Sequence, residues 1–429
     1  MHPALIRRIP ILALLFVLFA AATSSASDKG WNTAIADSDL TPRRILAVDK
    51  NHQRFLIFER HSPLALRGTF PCTTGQADGD KVAEGDLRTP EGIYFIEGKR
   101  TSGLDYGLYG GIAYTLNYPN PVDRLRHKSG YGIWIHSKGR DITPRETRGC
   151  IALNRGDIDA LAGTLAPGTP VAVADSVASD ASFSKQDIET ARNLRDRVYA
   201  WARAWSARSQ EMFSFYDPDA YSLAQDAPFH AFKGQKERLF KTLPWIHTTV
   251  HDVKVLQGPG YWVTWFDQYY RAPNHTSEGV RRLYWQPGKD GVMRIVGMEW
   301  VPADLGMEDD YLEDVSPRVA ELIEQWRKAW ETCDVEGYAS WYAEDARQGD
   351  RVGVAAIAEH KRTLWATIRP VKVALEGVRV AITPDGVTAD MTQDYKDTRG
   401  YRDKGVKTIY LKPYGASWRI VREDWAPLP

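Results

Sequence analysis

The chain has 429 residues, more than one ordinary hydrophobic core can organise, so two or three domains are expected. Lysine plus arginine and aspartate plus glutamate both total 55, a balance that argues against nucleic acid or an anionic membrane as the main partner. The 15 tryptophans and 20 tyrosines point chiefly to aromatic cores, with sugar-stacking grooves as the rarer use.

At the N-terminus, Arg7 and Arg8 precede an apolar run from Ile9 to Ala22 and the small residues Ser24, Ser25 and Ala26. That is the pattern of a secretory signal, residues 1–26, cleaved after Ala26. The run is shorter than the ~20 residues that span a bilayer, so no permanent membrane anchor is expected and the mature protein is read as exported. Export favours disulfides, yet three cysteines leave at least one thiol unpaired in a monomer. Cys72 in "GTFPCTTGQ" and Cys333 in "WETCDVEGY" are read as buried and inert.

After an N-terminal segment at 27–40, two apolar runs around Asp49-Lys50-Asn51 predict a hairpin over 44–60. "ALRGTFPCTTG", "EGIYFIEGK", "YGIWIHS" and "TPVAVAD" add short strands, and "NRGDIDALAGTL" a helix with Asn154 or Asp157 near its start. Residues 41–176 therefore form a mainly β domain. The carboxylates of "EGDLRTPEG" (84–92) are read as holding turns.

Within this domain, "IWIHSKGRDITPRETRGCIAL" (133–153) carries His136 at a strand end and Cys150 after a glycine. Thiol chemistry needs a thiolate, a base within reach, and donors for the oxyanion formed on attack. His136 can supply the base, and Gly149 permits the backbone torsions that bring amides to an oxyanion. Taken alone, this spacing also fits an unpaired buried cysteine, and the two readings stay open.

The whole stretch, a histidine, a polar loop, then Thr-Arg-Gly-Cys-Ile, resembles the signature of the L,D-transpeptidase catalytic domain. "TTGQADGDKVAEGDLRTPEGIYFI" (73–96), "AYTLNYPNPVDR" (113–124) and "SGYGIWIHS" (129–137) are similar to that family in the same order. The resemblance implies acyl transfer on peptidoglycan stem peptides in the periplasm, without a metal or other cofactor. Carried over, Cys150 is the nucleophile, His136 the general base, the Ser137 backbone carbonyl the third member, and Gly149 the oxyanion-hole position. Arg148, Thr147, Trp134 and Tyr118 are the implied substrate-binding residues. Arg148 stands where family members often carry histidine, and Ala152 where cross-linking members often carry arginine. The pattern is closer to the branch that trims stems to shape the cell. Attack by water on the acyl-enzyme (L,D-carboxypeptidase) is therefore the expected outcome, with attack by an amine (L,D-transpeptidase) beside it.

A small, polar stretch marks a linker at 177–187. Beyond it the chain repeats itself. "WARAW" from Trp201 returns as "WRKAW" from Trp326, "FYDPDA" (215–220) as "WYAEDA" (341–346), "GVRRLYW" (279–285) as "GVKTIYL" (405–411), and "MRIVGMEWVP" (293–302) as "WRIVREDWAP" (418–427). Each copy opens with an amphipathic helix pattern and closes in alternating strands. The copies, 188–303 and 315–428, resemble the nuclear transport factor 2-like fold, a tandem of α+β cone-shaped domains. They imply binding or positioning on glycan strands and stem peptides, with homodimerisation as a second use. Asp267 and Asp394 on their strands are read as structural, and His247 and His251 as ordinary histidines rather than metal ligands. A competing reading makes the chain a non-catalytic cell-wall binder with "YWVTWFDQYY" (261–270) as its aromatic platform.

Overall fold

A computed structural model describes residues 30–428 except 36, 61–62, 179–183, 274 and 416. The signal sequence expected at 1–26 lies outside the described residues.

Short apolar strands broken by turn residues close into a barrel. Strand β1 (Asn32–Ala34) lies outside it. The barrel strands are β2 (Arg44–Asp49), β3 (Arg54–Arg60), β4 (Leu64–Thr73), β5 (Gly92–Arg100), β6 (Ala113–Leu116), β7 (Trp134–Ser137), β8 (Ile151–Leu153) and β9 (Pro170–Ala174). They run in the order β2-β3-β4-β8-β7-β6-β5-β9, and β9 pairs β2 to close the ring. Two joints are parallel, β2 with β9 and β7 with β8. Strand β10 (Ser176–Ala178) pairs with β1. Three short helices, α1 (Tyr106–Tyr109), α2 (Pro121–Leu125) and α3 (Arg155–Ala160), fill the connections. Asn154 is the N-cap of α3, but its side chain caps nothing and accepts from Ile142 N–H instead.

Leu46, Val48, Phe55, Tyr94, Ile135 and Ile151 fill the barrel. The alternate residues, among them Ile45, Phe58, Ile93 and Phe95, point outward and are equally buried. Strands buried on both faces read as continuous apolar runs, which "RILAV" and "GIYFI" are.

The outer cover is the first repeat. Helix α4 (Lys185–Ser206) begins inside the stretch read as linker, because Ser184 and Asp187 form a reciprocal capping box. Its buried stripe, Ala191, Leu194, Val198, Trp201, Ala202 and Trp205, keeps helical spacing. A 3₁₀ turn (Gln210–Phe215), α5 (Pro218–Gln225) and α6 (Phe229–Thr242) follow. The antiparallel meander β11 (His247–Gly258), β12 (Tyr261–Ala272), β13 (His275–Pro287) and β14 (Met293–Pro302) completes the repeat. Its inner face packs on the helices, and its outer face packs on the barrel through Leu256, Tyr261, Val263, Tyr284 and Val296. Polar contacts lock this joint. Ile93 N–H donates to Tyr261 Oη at 2.8 Å, and Asn117 Nδ2 donates to Glu299 at 3.0 Å.

The second repeat opens with α7 (Glu308–Glu331), then α8 (Val335–Ala339), β15 (Tyr342–Gln348), β16 (Arg351–Val352) and α9 (Val354–Trp365). Strands β17 (Pro370–Thr383), β18 (Gly386–Asp397), β19 (Arg402–Tyr414) and β20 (Ser417–Pro427) form its meander, in a sheet ordered β16-β15-β20-β19-β18-β17. Helix α7 begins ahead of residue 315, the expected start of this copy. Of the aromatic run at 261–270, Tyr261, Trp262, Phe266, Tyr269 and Tyr270 are buried between layers, and only Trp265 stays half-buried at a surface groove. No helix among the described residues is long and apolar enough to cross a membrane.

Candidate active site

Parallel pairing of β7 with β8 sets Ile135 opposite Ile151 and His136 opposite Ala152. Side chains alternate along a strand, so Cys150, one residue before β8, falls on the His136 side of the sheet. Both residues line one cleft of about 430 Å³, together with Gln76, Leu108, Tyr109 and Lys138.

His136 is almost fully buried, and its Nδ1 lies 2.6 Å from the Ser137 carbonyl oxygen. That acceptor holds the proton on Nδ1 and leaves Nε2 as the basic nitrogen. Burial lowers the imidazole to about 4, against the opposing pull of the Ser137 hydrogen bond, so the ring is neutral at pH 7. Ser137 is itself pinned. Its hydroxyl donates to the Tyr109 and Gly110 carbonyls at 3.3 Å, and a side chain on Gly110, whose φ is 57°, would collide with that hydroxyl. The Tyr109 ring meets the imidazole edge-on at 5.1 Å and lies tilted against Trp134 at 5.0 Å.

The Cys150 thiol is half-buried, and burial pushes it up; a Trp134 backbone hydrogen bond and Lys81 pull the other way. The resting residue is thus a neutral thiol, whose Sγ lies 3.4 Å from the Gly132 carbonyl oxygen. Among the described residues the three cysteines are free. Cys72 is buried with its thiol pushed far up by desolvation, and Cys333 is half-buried.

The turn before Cys150 has little freedom. Thr147 Oγ1 donates to the Cys150 carbonyl at 2.7 Å and accepts from Gly149 N–H at 3.1 Å. Gly149 has a φ of 127°, and a Cβ there would stand 2.8 Å from the Arg88 carbonyl oxygen, so only glycine fits. Two expectations change accordingly. Thr147 lines the cleft, but its hydroxyl is engaged in fixing the turn. The Gly149 amide is spent on Thr147, while the Cys150 amide has no acceptor among the described residues.

Arg148 stands exposed at the cleft with no ion partner among the described residues. Trp134 is half-buried; its backbone meets the Cys150 thiol, while its ring lies against Tyr109 with the Arg100 guanidinium 5.3 Å over it. Tyr118 is corrected outright. It belongs to the barrel core, its hydroxyl donates to Ser129 O at 3.0 Å, and it touches no part of the cleft. A tyrosine beside a proline looks the same in sequence whether it faces in or out.

The sequence reading missed Tyr109, Leu108, Lys138 and Glu146. Helix α1 has four residues, too few to show periodicity; the pair Gly110-Gly111 after Tyr109 was the available signal. Glu146 ties Arg140 and Lys138 together and accepts from Thr143 N–H, which lowers its carboxyl to about 2. Carboxylates of the 84–92 loop do hold turns: Asp86 accepts from Val82, Ala83 and Arg88 N–H and from Lys81. Among the described residues no group of three His, Cys, Asp or Glu is placed to hold a metal ion. His247 accepts or donates to Tyr311 Oη at 2.8 Å instead.

Residues 43–173 match the family model of the L,D-transpeptidase catalytic domain (YkuD). Residues 193–299 and 318–424 each match that of the Cds6 C-terminal NTF2-like domain. Among solved structures, Bd1075 of Bdellovibrio bacteriovorus is similar over 63% of this chain and 96% of its own, at 26% identity and a TM-score of 0.50. Pgp2 of Campylobacter jejuni, described as a helical cell shape determining protein, is similar over 62% and 94%, at 24% identity and a TM-score of 0.49. Among curated proteins none matches the chain.

Proposed function

The chain is an L,D-transpeptidase catalytic domain followed by two NTF2-like domains, and from that premise we propose that it trims peptidoglycan tetrapeptide stems by cysteine acyl transfer to water. The observation that carries the proposal is the placement of His136 and Cys150 on one side of the β7–β8 joint, in one cleft, with Nδ1 of the histidine already bonded.

In this reading the thiol and imidazole are both neutral at rest, so His136 Nε2 takes the Cys150 proton as sulfur attacks the stem carbonyl. A C–S bond forms while the carbonyl oxygen becomes an oxyanion facing the free Cys150 amide. The C–N bond to the terminal D-alanine then breaks, and the imidazolium returns its proton to the departing amine. Water, deprotonated by the same imidazole, attacks the thioester and regenerates the thiol. Arg148, exposed and without an ion partner among the described residues, is suited to hold the carboxylate of the terminal D-alanine. The cleft volume lies toward the low end of the ~300–1,000 Å³ of small-ligand sites, room for one reacting stem end at a time. Export to the periplasm belongs to the same proposal.

The test is to incubate the chain and its Cys150→Ala form with a disaccharide tetrapeptide, with and without an amine acceptor, and to weigh the products. Loss of one D-alanine to water, absent in the variant, is the expected result. An amine-capped product or a dimer would make the chain a transpeptidase, and unchanged substrate with both proteins would overturn the assignment of Cys150. Because the base must be unprotonated and its pKa is about 4, kcat/KM should fall on the acid side near pH 4 rather than near the ~6.5 of free histidine.

A further inference from the structure

Strand β12 is covered on its outer face at both ends and open in the middle. Tyr261 and Val263 pack on the barrel. At the other end Tyr269 joins the core of the second repeat, and Arg271 Nη2 donates to Thr383 O at 2.7 Å. Between them Trp265 and Asp267, both half-buried, line a groove of about 890 Å³. Its opposite wall comes from the barrel, at Thr41–Arg44, Glu97 and Pro167–Pro170.

The groove has a fixed aromatic floor. Trp265 sits edge-to-face on Phe95, with centroids 5.2 Å apart, so the indole is held in place before any ligand arrives. Its charges are mostly spoken for: Arg44 pairs with Glu59, Arg60 with Asp37, Lys254 with Asp252, and Arg282 with Glu299. The side chains of Glu97 and Asp267 have no hydrogen bond or ion pair among the described residues, and Arg43 is the exposed cation beside them. Two unpaired carboxylates against one unpaired guanidinium disfavour a polyanion. A rigid indole flanked by free acceptors suits a neutral chain that offers ring C–H faces for stacking and hydroxyl and amide N–H groups for donation. The counterparts of Trp265 and Asp267 on β18 are Asp390 and Thr392, so the arrangement belongs to this joint and not to the repeat as a fold.

We propose that this groove between the barrel and the first repeat binds the neutral N-acetylhexosamine chain of peptidoglycan, with Trp265 as stacking surface and Glu97 and Asp267 as acceptors. It rests on the proposed cell-wall reaction for its choice of polymer, and it places the glycan on a wall formed jointly by the catalytic domain and its neighbour.

The probe is chitohexaose, a neutral N-acetylglucosamine hexamer, titrated calorimetrically into the full chain. Saturable binding is expected, with Kd raised at least about tenfold, or ~1.4 kcal/mol, by Asp267→Ala and by Trp265→Ala. Since Trp265→Ala also removes a contact with Phe95, Glu97→Ala, at an exposed position, provides a further variant expected to weaken binding. No saturable binding, equal binding by all variants, or stronger binding of a heparin hexamer would each overturn the proposal. Stem trimming by the unmodified chain is read in parallel. Trimming without chitohexaose binding refutes the groove alone, whereas chitohexaose binding without trimming refutes the catalytic reading alone.

Discussion

The two repeats share a first helix with paired tryptophans and a four-strand meander, yet they differ in what lies against the sheet. In the first, β12 is buried at every position but Trp265 and Asp267, because helices cover one face and the barrel and second repeat cover the two ends of the other. In the second, β18 alternates: Val387, Ala389, Met391, Gln393 and Tyr395 point in, while Thr388, Asp390, Thr392, Asp394 and Lys396 stay partly exposed. Asp394 pairs with Lys372 across that solvated face. One fold thus carries two burial patterns, and the difference records docking rather than folding.

The interiors differ as well. Each holds a lysine on its last helix among aromatic rings: Lys236 lies 4.1 Å from the Trp205 centroid, and Lys361 between 5.1 and 5.6 Å from Tyr338, Trp330 and Trp365. Each has a second cation on the meander, Arg281 or Lys407. Among the described residues only the second repeat supplies a carboxylate to this cluster. Glu423 takes Lys407 Nζ at 2.8 Å and hydrogen bonds from Tyr338, Tyr342 and Gln348. Burial pushes its carboxyl up and the Lys407 ammonium down. The matching position in the first repeat is Met298, whose sulfur lies 3.9 Å from Arg281 Nη1.

The widest contrast should come from equivalent substitutions on the two outer faces. Val263→Asp buries a carboxylate between barrel and sheet and should cost about 4 kcal/mol or more, whereas Thr388→Asp should stay within about 0.5 kcal/mol. Urea unfolding of both variants measures this, and similar losses would mean that the barrel joint does not distinguish the repeats. An interior exchange comes next. Glu423→Met leaves Lys407 buried without its counter-charge and should cost about 3 kcal/mol, while Met298→Glu places a carboxylate beside Arg281 and should cost less than about 1 kcal/mol. Equal costs would break the contrast in charge balance.

The smallest effect concerns pH. Burial lowers Lys361 to about 7 and Lys236 to about 8, each below the 10.5 of a free lysine. Between those values the unfolded chain binds more protons than the folded one, so these lysines make stability rise from about pH 7 toward pH 10. Lys361→Met should flatten that rise more than Lys236→Met, read from chemical unfolding across the interval. The opposite order would show that the first repeat encloses its lysine more tightly.

A chain cut near residue 180 would bare Ile93, Phe95 and Phe58, so the catalytic domain and first repeat are better tested together. The sequence reading put a linker at 177–187 ahead of the repeats. Helix α4 starts at Lys185, within that stretch, and the strands after it carry the contacts with the barrel.

Much of the fold and of the candidate site is legible in the sequence. The Thr-Arg-Gly-Cys turn after a histidine-ended strand is a local pattern that fixes its own geometry, because Gly149 admits no side chain and His136 Nδ1 finds its acceptor on the next residue. The repeat was legible because helices and alternating strands leave periodic apolar marks. Even the burial of β12 was written in "YWVTWFDQYY" against "GVTADMTQDY", although it first invited a reading as an exposed platform. What tertiary structure alone decided is which element covers which. Apolar pattern says that a face is buried but not by what, since the hydrophobic effect is non-directional. Tyr118 went to the core, Tyr109 to the imidazole, and Trp265 to a groove through contacts between residues far apart in the chain, which no local pattern encodes.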